Sequence, residues 1–167
     1  MLSRSVWITL LVMISAPSSR GHLQAPAPLS ERDLGISGLG SSNDTADTRR
    51  VLGAPRAVTH HDYHGNDEIL HLTDWHYRDV IMSFYANGRY YSATLTGPSR
   101  RTMRGLTVGD SISRMVRLYG RYQSDGDRFA AYSYRPPGPH PSNWGMIVEL
   151  QDRVVVRIVL GVIGAVD

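Results

Sequence analysis

A block of sixteen residues that occurs twice constrains the fold of this chain more than any other feature. The second copy runs from Gly105 to Gly120 and combines a turn, a short helix and a glycine stop. Within it, Ile112, Met115, Val116 and Tyr119 are spaced i, i+3, i+4 and i+7. This spacing places one apolar stripe along a helix, which is expected to pack against another layer of structure.

Both ends of this helix carry residues that start or stop helices. Asp110 is the predicted N-cap, because its carboxylate can accept a hydrogen bond from a free amide of the first turn. Gly120 is predicted to end the helix in a left-handed conformation. The first copy lies 67 positions upstream, where Asn43 matches Asp110 and Gly53 matches Gly120. We therefore predict a first helix over Asp44–Leu52, capped by Asn43.

Strand patterns follow each predicted helix. The predicted strands are residues 69–77, 80–85 and 90–95 in the first half, and 129–134, 146–150 and 153–160 in the second. An Asn87-Gly88 pair predicts a hairpin turn. This order indicates an α+β fold of two tandem repeats, each a helix plus an antiparallel sheet, with the helices on one face. The repeats span residues 36–98 and 103–167.

The first 27 residues have the pattern of a secretory signal followed by an extended leader. Arg4 supplies the positive start, and Val6–Ile14 is an apolar run that is too short to span a membrane. Residues after it are rich in Pro and Ala. The sequence therefore predicts an exported protein, periplasmic or secreted, with no stable membrane span.

Charge and cysteine content exclude several classes of function. The chain has no cysteine, so disulfides and thiolate metal sites are excluded. Its net charge is +3, and loss of Arg4 and Arg20 with the leader would lower it to about +1, which gives little reason to expect a nucleic-acid partner. There is no Gly-x-Ser-x-Gly motif and no cysteine nucleophile. We predict a protein that is not an enzyme and that needs no cofactor.

Aromatic side chains concentrate on or beside the predicted strands. One short helix per repeat can cover only one face of a sheet, so alternation should place several of them on the other face. Tyr and Trp provide rigid, amphipathic contact area at protein interfaces. The predicted partner-binding residues are Trp75, Tyr77, Tyr85, Tyr91, Tyr132, Tyr134 and Trp144.

A histidine-rich segment supports an alternative function. Five of the seven histidines lie in His60–His76, interleaved with aspartates, and imidazole and carboxylate groups are ligands of zinc and similar ions. His60, His61 and His64 are the candidate metal ligands. The spacing matches no known zinc motif, and the segment also fits a polar loop that leads into a half-exposed strand. A metal-binding or metal-dependent protein is thus the alternative hypothesis.

The second block also resembles a known family. Its pattern, Gly105-Leu106, then Gly109-Asp110-Ser111, then an apolar stripe ending in Tyr119-Gly120, resembles the SmpA/OmlA (BamE-like) envelope domain. The tandem arrangement resembles the β-lactamase-inhibitor-protein fold. The resemblance covers residues 36–98 and 103–167, although this chain lacks the cysteines usual in both families.

In those families the helices pack on one face of a sheet whose other face contacts a protein. The resemblance therefore implies a binding module of inhibitor, immunity or envelope-assembly type, with another envelope or extracellular protein as its partner.

Overall fold

The computed structural model describes residues 26–64, 69–134 and 144–163, which form one antiparallel sheet of eight strands and two short helices. The strands are β1 (Ala57–His64), β2 (Ile69–His76), β3 (Val80–Tyr85), β4 (Tyr90–Leu95), β5 (Gln123–Asp125), β6 (Phe129–Tyr134), β7 (Trp144–Gln151) and β8 (Val154–Val162). Their order across the sheet is β1-β2-β3-β4-β8-β7-β6-β5. The predicted signal lies outside the described residues, apart from its last two positions.

The prediction of two tandem helix-plus-sheet repeats was wrong. Strands β4 and β8 pair directly over Ser92–Leu95 and Ile158–Gly161, so all eight strands belong to a single sheet. Side chains from both halves of the chain also share one apolar core. The sequence signal for a repeat is local, whereas the pairing that joins the halves is between strands far apart in the chain. Two separate sheets would each leave a further strand edge unpaired.

Helix α2 (Ile112–Tyr119) begins one residue later than its predicted cap implies. Ser111, and not Asp110, is the N-cap, and its Oγ accepts a hydrogen bond from the Arg114 N–H at 3.3 Å. Asp110 Oδ2 instead accepts from the Thr107 N–H at 3.0 Å and forms an ion pair with the Arg114 side chain at 3.0 Å. Asp110 therefore stabilises the turn that precedes the helix.

Helix α1 (Thr45–Leu52) shows the same shift of one residue. Asp44 is its N-cap and accepts from the Asp47 N–H at 2.9 Å, so the predicted cap at Asn43 was wrong. The Asn43 Oδ1 accepts from the Gly40 N–H at 2.7 Å and closes the turn before the helix. Within the described residues, no helix is long and apolar enough to cross a membrane.

Both helices lie on the same face of the sheet. From α2, Met115 is fully buried in the core, and the ring of Tyr119 lies 5.5 Å from that of Tyr132 on β6. From α1, the Arg49 guanidinium lies 5.1 Å from the ring of Trp75 on β2. The strand residues fully buried on this face are Val80, Met82, Phe84, Ala93, Leu95, Ala130, Met146, Val148, Val155, Ile158 and Leu160.

Strands β1 and β5 were absent from the sequence prediction. β1 falls on the segment that was interpreted as a polar loop, and all eight of its residues are exposed. Because neither face of β1 is buried, its sequence lacks the alternation of apolar and polar residues that marks a half-buried strand. β5 has only three residues, too few for any such pattern.

Candidate binding surface

The face of the sheet opposite to the helices carries a row of partly exposed side chains that are mainly apolar. Each member is the cross-strand neighbour of the next, from β3 across β4, β8 and β7 to β6. The row consists of Ile81, Thr94, Val159, Ile147 and Ala131. We call these five residues the apolar row, and the sheet face that carries them the open face. Among the described residues, no helix packs on it.

A pair of tyrosines lies on the open face, separated from the apolar row by the Ser83–Ser92 pair. The rings of Tyr85 and Tyr91 are 5.2 Å apart and meet edge to face. Burial raises the pKa of the Tyr91 hydroxyl to about 12, and the nearby phenol groups of Tyr63 and Tyr85 contribute to the shift. The Tyr91 hydroxyl is therefore protonated at neutral pH and can donate a hydrogen bond.

A β-bulge places Tyr91 on the open face. In the register of β3 and β4, Ser83 pairs with Ser92, but Phe84 pairs with Tyr90, so Tyr91 is the extra residue. Strict alternation from the buried Ala93 would instead direct Tyr91 into the core. With the bulge, Tyr90 takes the core position and donates its hydroxyl to the Leu160 carbonyl oxygen at 3.0 Å, whereas Tyr91, which is 8% exposed, lies on the open face.

Asp74 forms the polar border of the open face near β1. It pairs with Ser83 across the sheet, and its Oδ2 lies 3.6 Å from His61 Nδ1. Its Oδ1 is buried and has no hydrogen-bond partner among the described residues. A buried oxygen without a partner is costly in a folded protein.

An ion-pair cluster forms the border at the opposite side. Glu149 accepts hydrogen bonds from Arg128, with Nη2 to Oε1 at 2.9 Å, and pairs with Arg157, with Nε to Oε2 at 3.0 Å. Glu149 and Arg157 are cross-strand neighbours on the open face. The apolar row therefore lies between two polar borders.

The seven predicted partner-binding residues do not share one face. Trp75 packs against Phe84 in the core, with ring centroids 5.2 Å apart. Tyr132 is also buried there and donates its hydroxyl to the Gly120 carbonyl oxygen at 3.1 Å. Tyr77 is half-buried against the same core.

The remaining four of the seven divide between the two faces. Trp144 stacks on Tyr90 at 6.4 Å on the core side, and Tyr134 is its cross-strand neighbour. Tyr85 and Tyr91 lie on the open face. The sequence reasoning did not select the apolar row, although alternation within β3, β7 and β8 would have indicated part of it.

The candidate metal ligands lie on β1. Alternation along the strand directs His60 and His64 to one side of the sheet and His61 to the other. His60 Nδ1 lies 3.0 Å from Thr73 Oγ1. Within the described residues, no three side chains of His, Cys, Asp or Glu come together as a metal site would require.

The fold and surface define an antiparallel-sheet protein with one helix-covered face and one open face. No family model and no curated protein matches the chain. Among solved structures, the chain is similar to the crystal structure of the uncharacterized protein yfeY from Escherichia coli, with a TM-score of 0.46 and 15% identity. The match covers 81% of this chain and 99% of that chain. A likeness at this level carries no argument about function, and the resemblance to the BamE-like and β-lactamase-inhibitor-protein families stays a prediction.

Proposed function

We propose that this protein is a non-catalytic binding module that holds another protein against the open face. The apolar row is the observation that carries the proposal. Its five members are contributed by five adjacent strands, so they form a continuous strip about 19 Å long at the usual strand spacing. Contiguous apolar surface of this kind is typical of a protein-interaction site.

The composition of the surroundings favours a protein over a small molecule. Protein interfaces have an apolar centre with aromatic residues and a polar rim. Here the apolar row is the centre, the partly exposed Tyr85, in edge-to-face contact with the buried Tyr91, is the aromatic part, and Asp74 and the Glu149 cluster are the rim. A small ligand usually requires a concave pocket, whereas this surface is one face of a sheet.

The proposed partner is an envelope or extracellular protein, because the first 27 residues have the pattern of an export signal. An inhibitor, immunity or envelope-assembly role would each use such a surface. The identity of a captured partner would distinguish these three roles.

A pair of matched substitutions tests the proposal. The full chain would be immobilised, its partner captured from an envelope extract and identified, and the dissociation constant measured with purified proteins. Val159→Arg places a charge in the centre of the apolar row and should weaken binding at least about tenfold. Val116→Arg places the same charge on α2, where Val116 is 37% exposed, and should leave the affinity unchanged. Equal affinities for the two variants would contradict the proposal.

A further inference from the structure

Strand β1 forms one edge of the sheet and presents unpaired main-chain groups. It pairs with β2 in an antiparallel register, and with no other strand among the described residues. The Tyr77 N–H donates to the Val80 carbonyl oxygen at 2.9 Å, so Tyr77 directs its main chain towards β3. His76 directs its carbonyl towards β1, where it accepts from the Arg56 N–H at 2.8 Å.

Because main-chain directions alternate along a strand, the direction of the N–H and C=O groups follows for every residue of β1. Residues 57, 59, 61 and 63, which pair with even-numbered residues of β2, direct their main-chain groups towards β2. Val58, His60, Asp62 and His64 direct their N–H and C=O groups away from the sheet. These four residues form a ladder of donors and acceptors that is ready for another strand.

This edge lacks most of the features that usually prevent strand pairing, and Asp62 is the one Asp, Glu, Lys or Arg residue in β1. Protected edges are short, or carry lysine, proline or a bulge. β1 has eight residues without lysine or proline, whereas β5 at the other edge has only three residues. β1 also exposes apolar surface on both sides, since Val58 is 46% and Tyr63 is 41% exposed.

We propose that β1 pairs antiparallel with β1 of a second copy of this chain. The two-fold axis lies midway between the strands, so that His61 of one copy faces His61 of the other. A hydrogen-bonded pair joins two outward-facing residues, and these are all even-numbered in β1. The two-fold axis must therefore lie level with a residue and not between two consecutive residues. With the axis at His61, all four outward-facing residues pair, Val58 with His64 and His60 with Asp62, each twice. This gives eight hydrogen bonds at two per hydrogen-bonded pair. With the axis at His60, only Val58, His60 and Asp62 would pair, which gives six.

Side chains fit the same register. Each His60 lies opposite Asp62 of the second copy, whose Oδ1 already bonds to His71 Nδ1 of its own chain at 2.7 Å, so that Oδ2 is the acceptor for a bond from His60. Each Thr59 lies opposite Tyr63, so the exposed tyrosine ring gains a cross-strand neighbour. The axis is perpendicular to the sheet, which places the open faces of the two copies on the same side of the dimer.

Single cysteines test this register, because the natural chain has none. In a non-hydrogen-bonded antiparallel pair the Cα atoms are about 4.5 Å apart, within the range that a disulfide requires. His61→Cys in the full chain should therefore form a disulfide dimer under mild oxidation. Thr59→Cys should react at least about tenfold more slowly, since its copies would be about 14 Å apart. A mixture of Thr59→Cys and Tyr63→Cys chains should cross-link to each other.

Two outcomes would overturn the inference. If His60→Cys cross-links faster than His61→Cys, the axis lies elsewhere. If the unsubstituted chain sediments as a monomer at every concentration, and no β1 cysteine cross-links, the edge does not pair with itself. Thermal unfolding of each variant would show that the cysteine substitutions keep the fold.

Discussion

Arg104 and Asp33 are joined by two hydrogen bonds although 71 positions separate them in the chain. The Nε donates to Oδ1 at 2.8 Å, and an Nη2 hydrogen to Oδ2 at 2.7 Å. The same guanidinium donates to the carbonyl oxygens of Ala27 and Pro28, both at 2.7 Å, and to that of Leu118 at 3.2 Å. The largely buried guanidinium of Arg104 therefore holds the segment before the sheet against the end of α2 through these hydrogen bonds.

Asp33→Asn should destabilise the fold by about 3 kcal/mol, because it leaves the Arg104 charge buried without its partner. Burial alone would raise the pKa of the Asp33 carboxyl, but hydrogen bonds from Arg104 and Ser30 and the charge of Arg104 hold it below its usual value of 3.8. The pair should therefore stabilise the fold fully above pH 3.8 and lose this contribution as the pH falls through the lower folded pKa. Urea denaturation between pH 2 and pH 7 measures this contribution to the free energy of unfolding. Equal acid sensitivity of the natural chain and Asp33→Asn would contradict this account.

Met115→Ala should lower the free energy of unfolding by about 2–5 kcal/mol, because its side chain is fully buried between α2 and the sheet. The adjacent Val116 is exposed, so Val116→Ala should change stability by less than about 0.5 kcal/mol. Chemical denaturation of both variants measures the two losses in the free energy of unfolding. Of the predicted stripe, Met115 and Tyr119 are buried and Val116 is not, so similar losses for the two variants would show that Met115 does not pack in the core.

Arg153→Gly should raise the free energy of unfolding by about 1 kcal/mol. The turn between β7 and β8 places Asp152 at φ 51° and Arg153 at φ 64°, in the left-handed region that favours glycine. The main-chain bond from the Ile112 N–H to the Arg153 carbonyl oxygen, at 3.0 Å, needs no side chain and would be kept. Arg153→Ala keeps the unfavourable φ and should give no gain. A loss of stability in the glycine variant would count against the strain at this turn.

Local signals predicted the regular elements of this fold well. Helices α1 and α2 end at the predicted residues, where Gly53 and Gly120 have positive φ. The bounds of β3, β4 and β6 match their predicted ranges, because each of these segments is rich in apolar and aromatic residues that become buried. These features depend on residues close together in the chain.

Non-local features were not predicted from the sequence. The pairing of Ala93 with Leu160, which unites the sheet, leaves no signature in either strand alone. The bulge at Tyr91 reverses the alternation on which the aromatic assignment depended. Trp75 and Tyr132, which were predicted at the partner interface, lie in the core because regular alternation places each beside a buried methionine on the helix-covered face.

Site-specific photo-crosslinking tests the central claim most directly. A photoreactive phenylalanine analogue would replace Ile147 in the apolar row, with Arg117, exposed on α2, as the matched control on the other face. In cells that make the protein, we expect the same cross-linked protein from Ile147 and from Ile81, and none from Arg117. Cross-links that arise equally from both faces, or from Arg117 alone, would contradict binding at the open face.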